Sequence, residues 1–174
     1  MSKCSAALIG CALLGLYACS ETSEPPAASA TYSRVVTLAP NLTELVFAAG
    51  AGDTLVGASA YSDYPDIARR LPIIGDAFAV DQEQLAILQP DLLLVWESGT
   101  PDHVVDELRS LGYNVEAIRT RTLADVADAL RRIGELTDSA AQANIVANAY
   151  NASLQDIKIT YESVEDLRVF YQVD

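Results

Sequence analysis

Cysteine is missing from almost the whole chain. All three cysteines of the 174 residues, Cys4, Cys11 and Cys19, fall in the first nineteen positions. A disulfide framework, a zinc cluster and a catalytic thiol are therefore excluded from everything downstream. Histidine occurs once, as His103, so Ser-His or Cys-His chemistry would rest on that residue alone. A site that converges several histidines and carboxylates on a metal is equally short of donors, and His103 reads as a surface residue. Lysine is limited to Lys3 and Lys158, and the formal net charge is −13. Eleven Lys and Arg against 24 Asp and Glu leave too little positive charge to neutralise phosphates, which argues against nucleic acid as a partner. There is no P-loop and no G-x-S-x-G turn. The expectation is a protein that is not an enzyme, with no cofactor and no resident metal.

The N-terminus is a targeting segment. Lys3 supplies the positive end, and Ala6–Leu16 is an apolar run too short to span a bilayer. Leu16-Tyr17-Ala18-Cys19 resembles a bacterial lipobox, which makes residues 1–18 a lipoprotein signal peptide and Cys19 the lipidated residue. An ordinary signal peptide cleaved nearby is the alternative. Residues 19–32, rich in Ser, Glu, Pro, Ala and Thr, read as a flexible tether.

From Arg34 onward, strand-like and helix-like segments alternate. Arg34–Leu38, Leu55–Ser59, Leu92–Trp96 and Val115–Ile118 read as strands. Asn41 reads as a helix N-cap with Glu44 behind it, and Gly50 as that helix's end. A short helix is expected up to Arg70 and a short strand over Leu71–Gly75. Asp81 and Gln84 have capping-box spacing. Thr100-Pro101 opens a helix with Val104, Val105, Leu108 and Leu111 on one face. Thr122 opens another, with Leu123, Val126, Ala127, Leu130 and Ile133 at helical spacing. The β-α-β-α order implies a parallel sheet. The fold class is α/β, a Rossmann-like lobe over residues 33–136.

Residues 137–166 read as one long helix with Val146, Tyr150, Leu154, Ile157, Tyr161 and Val164 along a stripe. Residues 167–174 read as the first strand of a second α/β lobe that is otherwise missing. The alternative is that this strand returns to the first sheet as an edge.

Pro40, Tyr61 and Trp96 fall just past the ends of three strands. In open α/β sheets, ligands bind in the crevice outside the carboxyl ends of the strands. Flat apolar groups gathered there describe a surface for a large, partly apolar ligand, although aromatics at strand ends are also ordinary core rim. Asp63, between Tyr61 and Tyr64, is the one polar group placed beside this site.

One α/β lobe, a long helix and the start of another lobe resemble the helical-backbone substrate-binding proteins of ABC importers. Arg34–Leu45 is similar to the family's opening strand and helix, and Leu88-Gln89-Pro90-Asp91-Leu92 to a recurring family element. Tyr61-Ser62-Asp63-Tyr64-Pro65, Gly75-Asp76-Ala77-Phe78 and Trp96 with Glu97–Pro101 resemble the vitamin B12-binding branch. The resemblance implies cobalamin or a related corrinoid as transported ligand, held between two lobes. It implies Pro40, Tyr61 and Trp96 as contacts, with Phe78 standing where some relatives carry a second tryptophan. It also implies Glu83 as a docking point for the permease of an ABC permease–ATPase complex, in the periplasm. Haem, with Tyr61 or Tyr64 as iron ligand, or an iron–siderophore remains an alternative cargo. An envelope scaffold lipoprotein is the reading outside the receptor class.

Overall fold

The computed structural model describes residues 31–165 and 167–172. Residues 1–18, Cys19 and the tether up to residue 30 lie outside the described residues. The tether's last residue is anchored, contrary to the sequence reading. The Tyr32 amide donates to the Leu136 carbonyl at 2.7 Å, and its ring packs against the core.

Four parallel strands form one sheet: β1 (Val35–Thr37), β2 (Leu55–Ala58), β3 (Leu92–Trp96) and β4 (Val115–Ile118), in the order β2-β1-β3-β4. The helices are α1 (Pro40–Ala48), α2 (Gln82–Leu88), α3 (Asp102–Ser110), α4 (Leu123–Leu136) and α5 (Ala140–Tyr161). The residues up to Arg70 form a 3-10 helix, Asp66–Arg70. The expected strand over Leu71–Gly75 is reduced to single bridges, Ala58 with Ile73 and Gly75 with Val80.

The alternation of side chains along a strand builds a three-layer core. Val35, Leu92 and Leu94 face α1, α4 and α5. Val36, Leu93 and Val95 face the other way, with Leu85 of α2 and Val104, Val105 and Leu108 of α3. Leu92–Val95 is buried throughout because both sheet faces are covered. The Asp91 carboxylate just before β3 accepts from the Ser33 and Arg34 amides at 2.9 Å each. This pins the start of β1 beside β3.

Local signals held where the side chain had one clear backbone partner. Asp81 accepts from the Gln84 amide, and Thr122 and Asp125 form a reciprocal capping box. Asn41 is not a cap: α1 starts at Pro40, and the Asn41 amide group donates to Thr120 Oγ1 at 3.4 Å. α3 starts at Asp102, one residue later than expected, with Pro101 in place of Thr100 as its cap residue. Leu111 and Leu123, expected on buried helix faces, are 52% and 65% exposed because each flanks a helix end.

The C-terminal region departs most from expectation. The expected helix over 137–166 is interrupted at its start, with Asp138 in the left-handed region (φ 59°) between α4 and α5. The 22 residues of α5 span about 33 Å. Ala143 and Ala147 are its fully buried residues. A Cβ at Gly134 of α4 would lie 2.4 Å from Ala143 Cβ. The two helices thus meet through small residues, with Val146 and Tyr150 partly buried alongside. Ile157, Tyr161 and Val164 of the expected stripe are exposed. The expected strand over 167–174 is absent from Leu167–Gln172, the part of it described. Leu167, Val169, Phe170 and Tyr171 are each at least 80% exposed, and the described sheet has the order β2-β1-β3-β4 with no strand from this segment.

Candidate functional site

β1 has β2 on one side and β3 on the other, so the chain's direction of winding reverses between β1 and β3. Such a switch point opens a crevice at the carboxyl ends of the strands. A depression of about 360 Å³ lies there. Pro40, Tyr61, Phe78 and Trp96 all line it, with Leu38, Ala39, Ala60, Ala77 and Gly99 between them. Its wall is almost entirely apolar, with Ser59 and Asp76 as the polar exceptions.

Each of the four side chains is placed by a different local device. Pro40 is the first residue of α1, where its missing N–H costs no helical hydrogen bond and its fixed φ suits the turn. Trp96 ends β3 and packs partly against the core. Its ring lies on the backbone of Gly99, where a Cβ would fall 2.0 Å from Trp96 Cε3. The indole Nε1 is buried and has no hydrogen-bond partner among the described residues. Tyr61 sits in the left-handed region (φ 67°) and is 83% exposed. Phe78, 72% exposed, rides on a tight loop. There Asp76 Oδ1 accepts from the amides of Phe78 and Ala79 at 2.8 and 2.9 Å, and the Asp76 amide donates to the Ala79 carbonyl. These backbone donors hold the Asp76 carboxyl below the usual carboxylate range. Gly75 enters the loop at φ 98°, and a Cβ there would lie 2.0 Å from the Ala79 carbonyl oxygen.

Asp63 is not brought to this surface. The turn at Tyr61 sends it into a second, smaller depression of about 220 Å³ on the other side of that tyrosine. There its carboxylate pairs with Arg69 at 3.5 Å, both groups being more than half exposed. Tyr64 is exposed and does not line the apolar depression. Glu83 is exposed in the first turn of α2, with no ion pair among the described residues. His103 is exposed, and the described residues hold no group of three His, Cys, Asp or Glu that could bind a metal. Beyond β3, Arg121 pairs with Glu97 at 3.3 Å, tying the ends of β3 and β4 together. Gly99 and Asp76 were not recognised as site residues in the sequence. Their roles depend on distances to Trp96 and to two amides, and no local motif reports those.

The family model described as periplasmic binding protein matches residues 35–173. The chain belongs to the periplasmic binding protein family. Within that family it is 34% identical over 140 residues to a vitamin B12-binding protein of Vibrio cholerae serotype O1, covering 80% of this chain and 51% of that protein. It is 32% identical over 164 residues to a vitamin B12-binding protein of Pectobacterium carotovorum, covering 93% and 57%. Among solved structures it superposes on the periplasmic vitamin B12 binding protein BtuF of Vibrio cholerae with a TM-score of 0.77 at 34% identity, covering 82% of this chain and 56% of that one. A periplasmic heme binding protein of Pseudomonas aeruginosa gives 0.67 at 25% identity, covering 76% and 50%. The chain spans about half the length of the curated relatives it matches.

Proposed function

We propose that this periplasmic binding protein is the extracytoplasmic substrate-binding component of an ABC importer, and that it captures cobalamin and delivers it to a membrane permease. The observation that carries the reading is the convergence of Pro40, Tyr61, Phe78 and Trp96 on one apolar depression at the switch point of the sheet. A corrin is a broad ring with apolar edges and amide side chains. Rigid aromatic faces bury such a ring at low entropy cost, each contributing on the order of 1.5–3 kcal/mol if well buried. Similarity to proteins named for vitamin B12 binding supports the same cargo.

The described lobe supplies one wall of the ligand site. Glu83 is the proposed docking point for the permease, its carboxylate exposed and favoured by the helix N-terminus. Lipidation at Cys19 is the proposed means of holding the protein at the membrane.

One observation favours a second cargo. The Tyr61 phenol is exposed at the edge of the depression, where it could ligate a haem iron. The two cargoes separate by titration. Cyanocobalamin binding that is weakened by Trp96→Ala and Tyr61→Ala supports the corrinoid. Saturable haemin binding abolished by Tyr61→Phe, with no response to cyanocobalamin, transfers the reading to haem.

A further inference from the structure

Beneath Tyr61 runs a chain of hydroxyls that the apolar crevice does not require. Thr37 of β1 and Thr43 of α1 are both fully buried, and their Oγ1 atoms lie 2.6 Å apart. Thr43 Oγ1 is 2.9 Å from Ser62 Oγ, and Ser62 Oγ is 3.2 Å from the Oγ of buried Ser59. Four hydroxyls, each one donor and two acceptors, thus make three consecutive bonds from the middle of the sheet to the crevice rim.

The last two members frame Tyr61. The Ser62 amide donates to the Ser59 carbonyl at 3.3 Å, closing the turn Ser59-Ala60-Tyr61-Ser62. Its third residue, Tyr61, has φ 67°. Turns with positive φ at this position favour glycine or asparagine, because a Cβ is strained there. A tyrosine persists in such a conformation only when its surroundings over-determine it. The next hydroxyl beyond Ser62 is that of Thr43, on the first turn of α1, whose opening residue is Pro40. One chain of bonds therefore joins the element that carries Pro40 to the turn that carries Tyr61.

We infer that Thr43 and Ser62 are positioning residues, whose hydroxyls hold the strained turn and so fix Tyr61 relative to Pro40 for ligand binding. They touch no ligand themselves. This rests on the crevice being the ligand site, and one arm of its test is independent of that reading. In the full chain, amide hydrogen exchange at position 62 needs no ligand. Ser62→Ala and Thr43→Val are expected to speed that exchange at least several-fold while α3 and β3 amides stay as protected as before. Thr43→Ser, which keeps the hydroxyl, is expected to restore it. In the second arm, cyanocobalamin binding is expected to weaken about fivefold in Ser62→Ala, the scale of one net hydrogen bond. The same change made in a Tyr61→Ala background is expected to have no effect.

Unchanged exchange at position 62 in both variants overturns the inference. So does an affinity loss that is equally large with and without Tyr61, since that would be a general structural effect. If the unmodified chain binds no cyanocobalamin, the corrinoid reading fails, and the exchange arm still decides whether the hydroxyls hold the turn.

Discussion

Gly99→Ala tests whether the crevice depends on one close approach. The added Cβ would sit 2.0, 2.5 and 2.9 Å from Trp96 Cε3, Cζ3 and Cδ2. Ordinary contact begins near 3.4 Å, so the indole must retreat by about 1.4 Å or the loop after β3 must move. The ring is rigid and its inner edge packs on the core, so it yields toward the depression it lines. Overpacking of this kind costs about 1–3 kcal/mol. Trp96 is the sole tryptophan, and its emission reports its own displacement. The expectation is a lowered Tm, a shifted emission maximum in the folded state, and a loss of cyanocobalamin affinity that exceeds the stability change. Folded-state emission and affinity both unchanged would refute the argument, because the ring could not then be resting on Gly99.

Other outcomes follow from the same geometry. Gly75→Ala, which places a Cβ 2.0 Å from the Ala79 carbonyl at a residue with φ 98°, should disrupt the loop bearing Phe78 and weaken ligand binding as much as Phe78→Ala; titration of both variants checks this. The Asp76 carboxyl is depressed in the folded protein, so its contribution to loop order is present above its unfolded value near 3.8 and is lost as pH falls through the lower folded value. Exchange of the Phe78 and Ala79 amides should therefore rise in acid, and Asp76→Ala should remove that pH dependence. Trp96→Ala should weaken cyanocobalamin binding by roughly tenfold to 150-fold, from about 1.5–3 kcal/mol of lost burial, as read by calorimetry. Glu83→Ala should leave ligand affinity unchanged and reduce capture by permease vesicles.

Much of the lobe was readable because its signals are local. The unbroken apolar run Leu92–Val95 announces a strand buried on both faces, and Asp81 and Thr122 announce helix starts through bonds to their own backbone. Pro40, Tyr61 and Trp96 were legible as a group because they follow strand ends that a parallel sheet must bring to one edge, whereas Phe78 was named only through the family resemblance. Asp63 was misplaced for a physical reason. It is two residues from Tyr61 in sequence, but the left-handed turn at Tyr61 diverts it to Arg69. The contact between α4 and α5 was also hidden. Large apolar residues at helical spacing, such as Val146 and Ile157, mark a stripe in the sequence, whereas the helices approach through Gly134, Ala143 and Ala147. Small residues mark a close approach only when their partner is known. The residues after α5 looked like a strand by composition, but composition alone does not make a strand, which also needs a ladder with a neighbouring strand.

The most direct test of the central claim is calorimetric titration of cyanocobalamin into the chain, with haemin titrated in parallel and Trp96→Ala as the control. The account predicts one-to-one cobalamin binding that is weakened by Trp96→Ala. Cobalamin binding indifferent to Trp96→Ala, or no cobalamin binding beside saturable haemin binding, would contradict it.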